Sequence, residues 1–232
     1  AGCSSQKQPQ QPAAPAAEAQ ASAEAGATEE TVAEDATVLK DAFQNDFSVG
    51  VAVKMAAVND DAEMEFVGRN FNSITMENDM KPESLLDWEA SEKSKDGMPE
   101  IRKEHLGRVL GMAKEKGMKL RGHCLVWHSQ TPEWFFSKDF EPSKGLVDKE
   151  TMKKRMEVYL QKVLTYCQDN FPGVVYAWDV VNEAMADGGG YRTESNWYQT
   201  YGDESYITDA FTFARKYAAS EVKLFYNDYN EY

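Results

Sequence analysis

The chain has 232 residues, 39 of them acidic and 25 basic, for a formal net charge of -14 at pH 7. Affinity for nucleic-acid phosphates comes from clustered Lys and Arg that release counterions, so this balance argues against a nucleic-acid partner. With a mean hydropathy of -0.62 and no apolar run approaching about 18 residues, the sequence contains no candidate transmembrane helix.

Every aromatic residue lies after position 42, which separates a globular part from an N-terminal leader. Residues 1–37 hold 12 Ala, five Gln, three Pro and one large aliphatic side chain, Val32, so ordering entropy has little burial to offset it. Residues 4 to about 38 therefore read as a disordered acidic spacer. The expected division is a leader over 1–38 and a folded domain over 39–232. Ala1-Gly2-Cys3-Ser4-Ser5 followed by that spacer resembles the processed end of a bacterial lipoprotein, which implies a lipid anchor at Cys3 and an exported protein tethered to a membrane surface or secreted. Cys124 and Cys167 fall in apolar stretches and read as buried thiols, too scattered for a disulfide framework.

From residue 47 onward, short apolar runs alternate with longer amphipathic stretches, the order of parallel βα units. The spacing predicts a strand over 47–53, a helix over 60–70 and a strand over 72–76. A helix over 100–116, stopped by Gly117, leads to a strand over 119–127. Residues 149–171 carry Met152, Met156, Tyr159, Leu160, Val163, Leu164 and Cys167 at three- and four-residue intervals, the clearest helix in the chain. Pro172-Gly173 breaks it; a strand over 174–181, a helix over 205–219 and a strand over 222–226 follow. Five strands and four helices fit either a doubly wound sheet or the leading part of an eight-unit barrel. No glycine-rich phosphate loop follows the first strand, which weakens a nucleotide-binding sheet.

Polar residues gather where three apolar strands end, the edge at which parallel α/β proteins build sites. The clusters are Thr75 to Pro82, Gly122 to Gln130 and Trp178 to Glu183. Singly each has an ordinary explanation: a helix cap, a solvated Glu77–Lys81 pair, satisfied core imidazoles at His123 and His128. Their joint occurrence at successive strand ends favours a site. Asn, Gln, His, Lys and Glu beside Trp suit a neutral polyhydroxylated ring, which asks for dense hydrogen bonding at its rim and an aromatic wall for its C–H face. No metal site is expected, because His123 and His128 lie five apart on an extended strand and point to opposite faces, and no cofactor is expected either. Gly188-Gly189-Gly190 reads as a mobile rim loop.

Glu77-Asn78-Asp79-Met80-Lys81-Pro82, Arg121-Gly122-His123 through Trp127-His128-Ser129-Gln130-Thr131-Pro132, and Trp178-Asp179-Val180-Val181-Asn182-Glu183 resemble successive motifs of glycoside hydrolase family 10, the endo-β-1,4-xylanases. Leu224 to Asn230 resembles the family's fifth strand. The resemblance implies a (β/α)8 TIM barrel, of which about five strands and four helices are present here, and retaining hydrolysis of internal linkages in xylan or xylo-oligosaccharides. It implies that Glu183 is the acid/base and that Asn182 bonds the 2-hydroxyl of the reacting sugar. Glu77, Asn78 and Lys81 would grip sugars on the non-reducing side, and His123, Trp127 and Gln130 would wall the reacting ring. His128 would support them, with Tyr229 and Asn230 toward the leaving group. Asn182 and Glu183 are adjacent and would face opposite sides of an ideal strand, so both reach one cleft only if the strand bends there. The family's nucleophile is a second glutamate on the seventh strand. The residues after Glu183 reach only the fifth, so the nucleophile is unassigned. The expectation is the leading part of a longer xylanase, inactive alone, or a barrel completed by a second chain. The rival reading is a non-catalytic, membrane-tethered carbohydrate-binding lipoprotein.

Overall fold

The computed structural model describes residues 38–229. Cys3, the acidic spacer, Asn230 and Glu231 lie outside the described residues. Five parallel strands form one sheet in chain order: β1 (Gly50–Val53), β2 (Ser73–Met76), β3 (Lys119–Trp127), β4 (Val175–Asn182) and β5 (Lys223–Asn227). The long helices between them are α1 (Asp61–Asn70), α2 (Lys103–Glu115), α3 (Lys149–Asn170) and α4 (Ser205–Tyr217). A doubly wound sheet reverses its strand order at a switch point. This one never does, and α3 packs on both α2 and α4, so the units are successive βα repeats of a barrel.

The helix stops and starts have local causes. Asp60 accepts from the amides of Ala62 and Glu63 at 3.0 and 3.1 Å and opens α1. Asp148 caps α3 through the Thr151 amide at 2.9 Å. Gly117 ends the α2 turn at φ +67, a conformation that favours glycine. All seven residues of the expected α3 stripe are buried, as is Arg155 on the same helix. Its guanidinium donates to the carbonyls of Phe135 and Ser137 at 2.9 and 2.8 Å and lies 4.0 Å over the Phe140 ring.

The structure departs from the sequence reading at three places. Strand β1 starts at Gly50 rather than Phe47, because the amides of Asp46 and Phe47 turn back to the Phe43 carbonyl and the Phe43 and Phe47 rings stack at 4.8 Å. Helix α2 starts at Lys103 rather than Glu100, since Glu100–Ile101 pairs antiparallel with Leu86–Asp87. Short helices at Pro82–Leu85, Trp88–Glu92 and Asn196–Tyr201 lie in stretches read as loop. The Gly188–Gly190 segment closes a hydrogen-bonded turn, with the Ala186 amide on the Gly190 carbonyl and the Gly189 amide on the Ala186 carbonyl. Cys124 and Cys167 are buried free thiols, the latter pushed up to about 12 by burial.

Within the sheet, Gly122 of β3 lies against the ring of Trp178, its register partner on β4: a Cβ at 122 would sit 2.2 Å from Cε3. Gly122→Ala should therefore cost about 1–3 kcal/mol or more in urea unfolding. At Gly107 an added Cβ meets only the Tyr166 hydroxyl, the far end of a flexible ring, at 2.6 Å, and Gly107→Ala should cost clearly less.

Candidate active site

The carboxyl-terminal ends of β2 to β5 bring the polar clusters to one edge. At the end of β2, the Lys81 ammonium, attached to a buried side chain, donates to Asn78 Oδ1 at 3.0 Å and Gln130 Oε1 at 2.8 Å. Gln130 Nε2 donates to the same Asn78 oxygen at 3.2 Å, and the Lys81 nitrogen lies 4.7 Å from the Trp127 ring centroid. No carboxylate lies within ion-pair distance of Lys81 among the described residues. Glu77 stands apart from this cluster, half exposed, with its carboxylate 3.7 Å from Lys54; the Glu77–Lys81 pair considered above does not form.

Strand β3 shifts register against β4 between His123 and Val126, which sets Trp127 opposite Asn182. The Trp127 indole donates to Glu183 Oε2 at 2.7 Å. Its nitrogen is also 3.1 Å from the Asn182 side-chain amide when the oxygen of that amide is turned toward it. The Asn182 and Asn227 amides hydrogen-bond at 2.8 Å. The adjacency of Asn182 and Glu183 is resolved by the backbone: β4 ends at Asn182, and Glu183 takes φ +53, the left-handed region rarely adopted by residues with a Cβ. That turn brings both side chains to Trp127.

Beneath this edge His123 joins a charge cluster with Arg121 and Asp179, two residues visible in the motifs that carried no role in the sequence reading. Asp179, buried, accepts from Arg121 Nε at 3.0 Å and Nη2 at 2.5 Å and is bonded to His123 Nδ1 at 2.9 Å. Burial pushes the carboxyl up, but the bonds from His123 and Arg121 outweigh it and hold Asp179 below its ordinary value. His123 is thereby fixed by its Nδ1 side, with its ring 6.4 Å from Trp127. His128 goes the other way: it packs edge-on to Trp127 at 5.9 Å, and its buried Nδ1 has no hydrogen-bond partner among the described residues. Burial and the nearby Arg192 lower its proton affinity. Tyr229 reaches Asp187 at 2.6 Å across the edge. Three residues that the sequence reading passed over, Asn227, Tyr226 and Arg192, all contact the segment around Glu183.

A carboxyl one residue beyond a parallel strand, an indole donor upon it, amides beside it and an aromatic-flanked ammonium next door are groups that can hydrogen-bond a polyhydroxylated ligand and exchange a proton with it. A barrel with that rim belongs to the glycoside-hydrolase class. The family model for Glycosyl hydrolase family 10 matches residues 38–232, and the chain belongs to that family. A putative endo-1,4-beta-xylanase of Caldicellulosiruptor saccharolyticus is 55% identical over 152 residues, covering 65% of this chain and 48% of that protein. Endo-1,4-beta-xylanase B of Butyrivibrio fibrisolvens is 44% identical over 191 residues, 81% of this chain and 30% of the relative. The N-terminal endo-1,4-beta-D-xylanase modules of Clostridium thermocellum complexed with xylohexaose match with TM-score 0.76 at 38% identity, over 84% of this chain and 40% of that one. The chain thus spans about half or less of the length of these relatives.

A depressed carboxyl stabilises the fold fully above the unfolded value, near pH 4, and the contribution is lost as pH falls through the folded value. Asp179→Asn should cost about 3 kcal/mol in unfolding at pH 7, and the deficit should shrink as the pH drops below about 4. A deficit independent of pH would assign the loss to packing instead.

Proposed function

We propose that the protein is a retaining endo-1,4-beta-xylanase that cleaves internal linkages of xylan. The observation that carries this is the Glu183 carboxyl on its left-handed turn, bonded by the Trp127 indole at 2.7 Å beside Asn182. Membership of Glycosyl hydrolase family 10 and the xylanase names of the relatives support the substrate class.

In this reading Glu183 protonates the glycosidic oxygen as the aglycone departs and then takes a proton from the attacking water. The indole N–H holds one oxygen of the carboxyl and so fixes its orientation. Asn182 bonds the 2-hydroxyl of the reacting sugar, a contact that strengthens as positive charge develops at the anomeric carbon. Asn78, Lys81 and Gln130 hold hydroxyls on the non-reducing side, with Glu77 at the outer rim. Lys81 uses two of its three N–H bonds within the protein, which leaves one for substrate. Trp127 and His123 wall the reacting ring. Retention requires a second carboxyl about 5 Å from the first; its identity is unassigned.

Glu183→Gln in the whole protein should lose about 100-fold or more in kcat/KM on xylan and on xylosides with poor leaving groups, yet keep most of its kcat/KM on activated aryl xylosides. Measuring kcat/KM across a leaving-group series checks this, and equal losses throughout would remove the acid role.

For location we propose a lipid anchor at Cys3 and an exported, membrane-tethered enzyme, supported by Ala1-Gly2-Cys3-Ser4-Ser5 and the polar spacer. Cys3→Ala should abolish fatty-acid labelling and move xylanase activity from the membrane fraction to the soluble fraction; unchanged labelling and partitioning would refute the anchor.

A further inference from the structure

The turn at Glu183 leaves the sheet in a conformation that a side chain with a Cβ disfavours, so its backbone groups need partners other than ladder bonds. All of them are supplied by three residues. The Glu183 amide donates to the Asn227 carbonyl at 2.8 Å. The amides of Ala184 and Met185 both donate to the Tyr226 hydroxyl, at 3.1 and 3.3 Å. The Glu183 and Met185 carbonyls accept from Arg192 Nε and Nη2 at 3.3 and 3.0 Å, and the Ala184 carbonyl accepts from the Arg192 amide at 2.8 Å.

Tyr226 is used to capacity there. A hydroxyl has two acceptor positions and one donor; the two positions take the two amides, and the proton goes to Asp228. Burial and that aspartate push the hydroxyl up to about 12, so it remains neutral and keeps its proton. Arg192 is itself oriented by Asp187 at 3.1 Å. The segment 183–185 is thus clamped from both sides: its amides on Asn227 and Tyr226 of β5, its carbonyls on Arg192.

We propose that Tyr226 and Arg192 are positioning residues for Glu183, holding the turn that aims its carboxyl at the glycosidic oxygen. The inference rests on the acid/base reading of Glu183 and deepens it. Neither side chain needs to touch the reacting atoms. A misplaced acid chiefly harms departure of poor leaving groups, and displacements near 1 Å cost about 100-fold.

Tyr226→Phe keeps the ring and removes the acceptor for two amides. In the whole protein it should lose about 10- to 100-fold in kcat/KM on xylan and on poor-leaving-group xylobiosides. On a dinitrophenyl xylobioside the loss in kcat/KM should stay below about threefold. A purely structural role would lower activity on both substrates alike. Equal loss, or no loss, overturns the inference. Arg192→Gln should show the same selectivity and decides the question should Tyr226→Phe not fold. Glu183→Gln measured in parallel separates the two failures. If it is selective while the Tyr226 and Arg192 variants are not, only the positioning role falls; if it too is unselective, the acid reading falls and the positioning role with it.

Discussion

Alternation along a strand is the constraint on which the rest of the site depends. Neighbouring residues of a strand face opposite sides, yet the side chains of Asn182 and Glu183 both reach Trp127. The chain meets this by ending the ladder at Asn182 and turning Glu183 to φ +53. Such a backbone conformation costs of order 1–3 kcal/mol and persists only where the surroundings over-determine it. Here the surroundings do so: each amide and carbonyl from Glu183 to Met185 has a partner on β5 or on Arg192. The strain and its compensation therefore sit on opposite sides of the same three residues.

A second constraint lies one layer down, where Asp179 is buried between Arg121 and His123. An isolated buried carboxylate would be expensive; two cationic or polar partners on β3 make it tolerable and join β3 to β4 directly below the site. The same bonds hold His123 by Nδ1, so the orientation of an imidazole at the rim is set by a residue that never reaches the rim. The Arg121 guanidinium in turn lies 4.7 Å over the Phe225 ring, which extends the layer to β5.

Much of the frame was legible in the sequence, for physical reasons that can be named. The stripe from Met152 to Cys167 repeats at helical spacing over many turns, and Pro172-Gly173 cannot continue a helix, so α3 falls within one residue of its expected end. Strand β3 matches its expected bounds because Gly117 stops the preceding helix and Trp127 closes a continuous apolar run. The hairpin-like pairing of Leu86–Asp87 with Glu100–Ile101 was not legible: two-residue strands carry no periodicity, and their register comes from tertiary bonds such as Arg102 to the Leu85 carbonyl. For the site, residue types at strand ends pointed to Glu183, Asn182, Trp127 and Lys81. The clamp of Tyr226 and Arg192 was invisible, since it acts on backbone groups and depends on the sign of a single φ angle.

Taken across the sheet, the rim is a chain of bonds from strand to strand. Asn78, Lys81 and Gln130 tie β2 to β3; Lys81 reaches the Trp127 face; Trp127 ties β3 to Glu183 after β4; Asn182 ties β4 to Asn227 on β5. The Trp127 carbonyl is held as well, accepting from Thr131 at 2.7 Å and from the buried Trp197 indole at 3.1 Å. One tryptophan is thus fixed at its backbone, gripped on its face and spent at its edge. Its edge donor serves Glu183 and its face neighbours Lys81. The side chains proposed to bind sugar at the β2 end and the carboxyl proposed to transfer the proton after β4 thus meet on one ring.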